Sequence, residues 1–142
     1  MNQAATLNPS IWRRFDRLEQ ELLSSPVVRE YRILCWEIAQ SSGQIRVRIF
    51  LVDGGLLEVF EYVMAGLDDV LTARKYRYHW QDRAGAIVRR WDNAAHHVEL
   101  SHAPHHVHQA DGQVQGVDPA PSITAVLAEI QANLRMETPA HD

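Results

Sequence analysis

The chain contains a single cysteine, Cys35, among its 142 residues, so no disulfide can form within it. Cys35 stands in an apolar, strand-like segment, where we expect it to be a buried small hydrophobe rather than a reactive thiol. Apolar runs of the roughly 20 residues that a membrane span requires are also missing, and residues 1–10 lack the basic and apolar blocks of a signal peptide. We therefore expect a cytoplasmic protein with no membrane partner.

Positive charge is scarce overall, because 14 Lys and Arg stand against 18 Asp and Glu and give a net charge of −4. This balance argues against binding of nucleic acid by bulk attraction alone. Residues 72–108 differ, with six basic residues against three acidic ones and a local charge of +3. A basic face on an acidic body suits a phosphate-containing substrate, or an acidic inhibitor that mimics one. The alternative is that these arginines only solvate the outer face of a hairpin.

The length and the 46% apolar content are those of one globular domain with its own core. Asn8 and Pro9 are typical of a helix start, and apolar residues at helical spacing predict helices over 9–24 and 122–136. Between residues 27 and 92, alternating and β-branched segments separated by turn residues predict about five strands. The sequence thus predicts a single-domain α+β protein over residues 1–142, an antiparallel β-meander flanked by N- and C-terminal α-helices.

The segment YRYHWQD predicts a strand whose residues alternate between two faces of the sheet. Tyr76, Tyr78 and Trp80 share one face, and Arg77 and His79 share the other. The aromatic face either packs into the core or forms a platform on which RNA bases stack, each contact contributing roughly 1–3 kcal/mol. The candidate substrate-binding residues are Tyr78, His79, Arg77 and Trp80.

Seven of the eight histidines lie between Tyr76 and His108. Imidazole is the side chain that titrates unaided near neutral pH, so such a group beside acidic and basic residues suits acid/base chemistry. Periodicity disappears over residues 93–121, where we expect a histidine-rich loop. A structureless connection of this length is uncommon in a compact domain unless it is functional or mobile.

Arg90, Asp92 and Asn93 lie where the last strong strand ends. Asp and Asn are good turn residues, which alone could explain Asp92 and Asn93. The functional hypothesis gives Asp92 the task of orienting a histidine imidazole, as carboxylates do in catalytic arrangements. Arg90 falls on the same strand face as Asp92, where its guanidinium could grip a phosphate with two hydrogen bonds.

Three interpretations of the histidines remain open from spacing alone. His105, His106 and His108 could converge with Asp92 on zinc or nickel, although such spacing on a loop is a weak motif. Alternatively, histidines could cleave RNA without a metal, since RNA carries its own nucleophile, the 2′-hydroxyl. The third interpretation is a set of solvent-exposed polar residues with no role.

The order of YRYHWQD, RRWDNAAHH and PHHVH in this chain resembles the TumE family of bacterial toxin-antitoxin proteins. The matching positions are Tyr76, Tyr78, Trp80, Trp91, Asp92, Asn93, His96, His97, His105, His106 and His108. The resemblance implies a toxin that a small partner protein, its cognate antitoxin, holds inactive, and that acts on RNA. We expect the antitoxin to cover Arg77, Arg89 and Arg90 with carboxylates.

We accordingly predict the toxin of a toxin-antitoxin system, with metal-independent ribonuclease activity and no cofactor. His106 and His108 match the H-x-H of the family and serve as acid and base, while Asp92 orients and Arg90 stabilises the anion. The candidate catalytic residues are His106, His108, Asp92, Arg90, His96 and His97. A divalent metal at the histidine cluster is an alternative, as are a non-catalytic protein- or metal-binding module with a histidine-rich docking loop and an enzyme acting on nucleotides or proteins.

Overall fold

The computed structural model describes residues 7–94, 105–117 and 120–137, which contain two helices and seven strands. In chain order these are α1 (Pro9–Ser24), β1 (Val28–Ile38), β2 (Ser42–Leu51), β3 (Leu56–Ala65), β4 (Leu71–Gln81), β5 (Ile87–Asp92), β6 (His106–Gln109), β7 (Val114–Gly116) and α2 (Ile123–Glu137). Neither helix of these residues combines the length and the apolar character that crossing a membrane requires.

The seven strands form one antiparallel sheet in which each strand pairs with its neighbours along the chain, from β1 to β7. Side-chain bonds to the backbone favour the chain reversals between them. The Asp53 carboxylate accepts a hydrogen bond from the N–H of Gly55, and the Asp82 carboxylate accepts from Ala84 and Ala86. The predicted α+β fold, a single-domain meander with a helix at each end, is confirmed.

The sheet has seven strands rather than the five that the sequence predicts. The two additional strands, β6 and β7, lie within residues 93–121, where the sequence predicts a loop. Both are short, with four and three residues, and so offer too few positions for an alternating pattern to stand out. Pairing with β5 extends the sheet where local propensity is weak.

The first helix begins as its sequence predicts. The side-chain oxygen of Asn8 accepts hydrogen bonds from the backbone N–H groups of Ser10 and Ile11, at 2.9 and 3.1 Å, and Pro9 occupies the first turn, where its missing N–H costs nothing. The buried apolar stripe of α1 consists of Ile11, Phe15, Leu18 and Leu22. This stripe packs on one face of the sheet.

Both helices cover the same face of the sheet. On this face, the guanidinium of Arg89 pairs with Glu129 of α2, and its Nε–H donates to the side chain of Gln109 at 2.9 Å. Arg89 therefore does not share a basic face with Arg77 and Arg90, contrary to the prediction from the sequence. The reason is strand alternation, since Arg89 and Arg90 are consecutive in β5 and point to opposite sides.

The aromatic residues of β4 belong to the core between sheet and helices. Tyr76, Tyr78 and Trp80 are at most 4% exposed, so the core interpretation of this strand face holds. Cys35, by contrast, is only partly buried, contrary to expectation. An irregularity in the pairing of β1 between Ile33 and Cys35 interrupts the strict alternation that would have placed its side chain inside.

No described element covers the other face of the sheet, which we call the open face. The strand register places polar, charged and aromatic side chains together on it. Its members include Arg46, Arg48, Phe50, Glu58, Phe60, Arg77, His79, Arg90, Asp92, His106 and His108. The sheet thus has an apolar side, which packs against the helices and stabilises the fold, and a polar side, on which the candidate site lies.

Gly43 of β2 allows α1 to approach the sheet closely. Our first prediction is therefore that a side chain at this position destabilises the protein. A Cβ atom at this position would lie 2.7 Å from Cγ2 of Ile11 and 3.3 Å from Cε2 of Phe15. We expect Gly43→Ala to lower the free energy of unfolding by about 1–3 kcal/mol, the usual cost of overpacking, in urea denaturation. Ser42→Ala, which adds no atom to the neighbouring position, is the control. Equal unfolding midpoints for the two variants would contradict the packing argument.

Candidate active site

A buried carboxylate, that of Asp92, lies at the centre of the candidate site. Asp92 is only 3% exposed although it ends a strand on the open face. Its Oδ1 lies 2.7 Å from Nε2 of His106 and accepts a hydrogen bond from the N–H of Ala94, at 3.0 Å. Its Oδ2 accepts from Nε–H of Arg90 at 3.1 Å and lies 3.5 Å from Nε2 of His108. The single negative charge of Asp92 is therefore surrounded by one guanidinium, two imidazoles and one backbone N–H.

The pairing of β5 with β6 creates this arrangement. Asp92 stands directly opposite His106, and Arg90 directly opposite His108, so all four side chains project from the open face. The two imidazole rings meet edge to face, with centroids 4.9 Å apart. His106 is 1% exposed, whereas the side chain of His108 is 24% exposed. Of these two histidines, His108 is the one that a molecule on the open face can reach.

A second cross-strand row adds another histidine to the same face. The register aligns His79 of β4 with Arg90 of β5, and Arg90 with His108 of β6. The two histidines therefore flank Arg90, roughly 10 Å apart at the backbone, or two strand spacings. Burial of the ring, and after it the positive charge of Arg90, lowers the pKa of His79. His79 is consequently a neutral imidazole at pH 7.

Asn93 and Tyr76 hold the edge of the site in place. The side chain of Asn93 bridges to β4, because its oxygen accepts from the N–H of Tyr76 and its nitrogen donates to the carbonyl of Arg74, both at 3.0 Å. The Tyr76 hydroxyl lies 2.8 Å from Nδ1 of His105, whose ring stacks on the tyrosine ring. Burial, and after it the charge of Asp92, raises the pKa of Tyr76, so this phenol stays protonated at neutral pH.

A second buried carboxylate lies beneath the site, on the side that the helices cover. Glu61 is 3% exposed, accepts a hydrogen bond from the hydroxyl of Tyr78 and pairs with Arg14 of α1, whose Nε is 3.0 Å away. Burial of Tyr78, and after it the charge of Glu61, raises the pKa of Tyr78 well above its ordinary value. The hydroxyl of Tyr78 therefore stays protonated at neutral pH and donates its hydrogen bond to Glu61. Together, Tyr78, Glu61 and Arg14 attach α1 to the middle of the sheet.

The structure brings together four of the six candidate catalytic residues, Arg90, Asp92, His106 and His108. His96 and His97 lie outside the described residues. Among the candidate substrate-binding residues, Arg77 and His79 project from the open face next to this cluster.

Tyr78 and Trp80, the other two substrate-binding candidates, project from the opposite face into the core, with 1% and 3% exposure. A substrate on the open face cannot contact them, because the sheet itself stands between. Their role is to pack the helices against the sheet.

Sequence reasoning missed Glu61, Arg46 and Phe60. Glu61 had a signal in the sequence, since a charge interrupts the inward-facing series Leu57, Val59 and Val63 of its strand. Arg46 and Phe60 had none, because only the strand register places them beside Arg77 on the row that leads to Asp92.

Asp92, His106 and His108 also have the geometry of a potential metal site. One carboxylate oxygen and two imidazole nitrogens lie within 4.8 Å of one another, and these ligand types suit zinc or another transition metal. The surrounding charge opposes a cation, however. Arg90 already bonds to the carboxylate, and Arg77 stands directly opposite Asp92 on β4.

Comparison with known families identifies the family of the chain. The sequence model of the family described as Toxin TumE matches residues 15–134, which span every strand and most of both helices. The chain therefore belongs to the TumE toxin family. Neither a curated protein nor a solved structure matches the sequence. Membership of this family makes the protein a toxin of the toxin-antitoxin type and implies an antitoxin as its partner.

The second prediction concerns the effect of Arg90 on the pKa of its neighbour His79. Arg90→Gln removes a positive charge that lowers the pKa of His79, so this pKa should rise while burial still holds it below that of a solvated histidine. NMR titration of the histidine ring protons measures the change. Arg32→Gln is the control, since Arg32 of β1 lies three strands from His79 on the same face. An identical His79 titration in the wild type and in Arg90→Gln would contradict this electrostatic account.

Proposed function

We propose that this toxin is a ribonuclease that cleaves RNA by histidine acid/base chemistry without a metal ion. The observation that carries the proposal is the row of His79, Arg90 and His108 on the open face, beside the buried carboxylate of Asp92. This row supplies two groups for proton transfer with a fixed positive charge between them.

The reaction balances with these groups and with RNA alone. A base removes the proton of a 2′-hydroxyl, whose oxygen attacks the adjacent phosphorus and forms a P–O bond. The bond from phosphorus to the 5′-oxygen of the next nucleotide breaks, and this oxygen takes a proton from an acid. The products are a 2′,3′-cyclic phosphate and a 5′-hydroxyl end. In between, a pentacoordinate phosphorane carries negative charge that cationic donors stabilise.

The roles follow from the surroundings of each side chain. His79 is neutral at pH 7 because its pKa is lowered, which suits a base. His108 lies 3.5 Å from the Asp92 carboxylate, which stabilises an imidazolium and so suits an acid. Arg90 has five N–H donors, of which Nε–H bonds to Asp92, and its position between the histidines suits the phosphorane.

His106 takes a different role in this proposal from the one that the H-x-H motif implies. Its side chain is 1% exposed and its Nε2 lies against Asp92. Because it is buried, it orients the carboxylate that in turn holds His108, and is a positioning residue rather than an acid or base. His96 and His97 remain reserve candidates for the catalytic acid and base.

The antitoxin, in the same proposal, silences the toxin by covering the open face. Arg46, Arg77 and Arg90 project there, so a partner with carboxylates on its surface would neutralise and occlude the site. Arg89 takes no part, because it pairs with Glu129 under α2.

A metal-dependent reaction is the second candidate, and the convergence of Asp92, His106 and His108 favours it. A zinc ion held by these three side chains would lower the pKa of a bound water. The pairing of Arg90 with the same carboxylate weighs against it, since binding a divalent cation requires that this ion pair be broken.

The third prediction tests the two proton-transfer groups. Expression of the chain without its antitoxin should stop bacterial growth, and His108→Ala and His79→Ala should each relieve this and lower the RNA cleavage rate of the purified protein by about 100-fold or more. Gln115→Ala, on the neighbouring strand and the opposite face, is the control. Circular dichroism establishes that each variant is folded. If a folded His108→Ala variant cleaves RNA at the wild-type rate, proton transfer by His108 is excluded.

The fourth prediction separates the two mechanisms. RNA cleavage should persist in excess chelator and leave cyclic phosphate or 3′-phosphate ends, because attack by the 2′-hydroxyl needs no metal. Mass spectrometry of the fragments identifies the ends. If activity disappears in chelator and one divalent ion restores it, the metal-dependent candidate is correct. If the protein stops growth but cleaves no RNA under either condition, the ribonuclease proposal fails as a whole.

A further inference from the structure

A cation-rich cavity on the open face remains unexplained by acid/base chemistry alone. It has a volume of about 580 Å³, and five basic side chains line it against a single carboxylate, that of Asp92. The basic residues are Arg46, Arg74, Lys75, Arg77 and Arg90. Its volume lies within the range of roughly 300–1,000 Å³ that is usual for small-molecule sites. The excess of positive charge indicates an anionic ligand.

An aromatic ring lies within the same cavity. Phe60 lines it from β3, and the guanidinium of Arg46 lies over the Phe60 ring, 4.9 Å from its centroid. Arg77 stands directly opposite Phe60 on the next strand, and Asp92 stands opposite Arg77. One cross-strand row thus leads from the ring of Phe60 through the guanidinium of Arg77 to the buried carboxylate of Asp92.

We infer that this cavity binds one unpaired nucleotide of RNA next to the phosphate that is cleaved, an inference that rests on the proposed ribonuclease function. The base stacks on the Arg46–Phe60 pair, since both aromatic rings and guanidinium planes stack on nucleobases. Arg77 contacts the phosphate between this nucleotide and the reacting one. Arg90 lines the cavity and also lies in the row with His79 and His108. It therefore connects the proposed nucleotide cavity with the proposed site of cleavage.

The chemistry of the cavity favours single-stranded over double-stranded RNA. A base in a duplex has both faces covered by its neighbours, whereas an unpaired base can leave the stack and lie on a protein side chain. Stacking on Phe60 involves no reading of base edges, so any of the four bases is accepted. The toxin should therefore bind loops and single-stranded segments of RNA in preference to helices.

The fifth prediction measures binding separately from cleavage. All variants are made on a His108→Ala background, and the probe is a short fluorescent oligouridylate whose binding is followed by anisotropy. Phe60→Ala should weaken binding at least fivefold, which corresponds to about 1 kcal/mol, the low end of base stacking on an aromatic ring. Phe60→Trp, which keeps a stacking surface, should retain most of the affinity.

Phe50→Ala is the matched control. Phe50 is also a half-buried phenylalanine of the open face with an arginine, Arg32, over its ring at 5.6 Å, but it does not line the cavity. Its replacement should leave oligouridylate affinity within twofold of the parent. A perfectly paired RNA duplex of the same length should bind without dependence on Phe60.

Salt dependence distinguishes stacking from phosphate contact. Arg77→Ala should reduce the slope of log affinity against log salt by roughly 0.7, the value for one phosphate contact on a single strand. Phe60→Ala should lower the affinity and leave this slope unchanged. If the two variants change the slope equally, the assignment of base to Phe60 and of phosphate to Arg77 is wrong.

The outcomes separate this inference from the proposed function. If RNA is cleaved but Phe60→Ala and Phe50→Ala bind the oligouridylate equally, the subsite is overturned and the ribonuclease stands. If binding depends on Phe60 while RNA is not cleaved by the toxin with His108 intact, the subsite stands and the ribonuclease falls. If Phe60→Ala weakens the complex with the antitoxin and leaves oligouridylate binding unchanged, the cavity is a protein-docking surface and the inference is overturned.

Discussion

The buried carboxylate of Asp92 is the constraint on which the far half of the sheet depends. A carboxylate removed from water is costly unless charge and hydrogen bonds compensate it. Here the compensating groups are Arg90 of the same strand, the N–H of Ala94 just beyond it and His106 of the next strand. Satisfying one charge therefore ties β6 to β5 and places His108 beside Arg90. The interaction that joins β6 to β5 is the same one that assembles the proposed site.

Much of the fold could be predicted because its elements have strong periods. The apolar stripe of α1 repeats at helical spacing and begins at a capping residue, and the faces of β4 follow from simple alternation. The strands β6 and β7 escaped prediction because they are too short to show a period and because their pairing with β5 supplies the order that their own residues lack. The residues of β6 and β7 do not themselves indicate that β5 is the strand beside which they form.

The residues of the candidate site also fall into those that the sequence could predict and those that it could not. Asp92, Arg90 and His108 could be selected from residue type and family resemblance, since they stand close together in the chain. The alignment of His79 with them could not, because it requires the exact register of two strand pairs, β4 with β5 and β5 with β6, and the first of these is irregular after Trp80. Phe60 lies further still from Asp92 in the sequence, and only two consecutive strand pairings, β3 with β4 and β4 with β5, bring them into one row.

The order of the strands has a consequence for how the protein is made. Contacts between chain neighbours close short loops and form quickly, so a sheet in which every strand pairs with the next can assemble progressively from its N-terminal end as the chain leaves the ribosome. His106 and His108 belong to the sixth of seven strands. A nascent or prematurely ended chain can therefore possess most of the sheet and none of the imidazoles around Asp92. Under the proposed mechanism, a toxin chain that ends before β6 lacks His108 and so cannot cleave RNA, which would protect the cell that makes it.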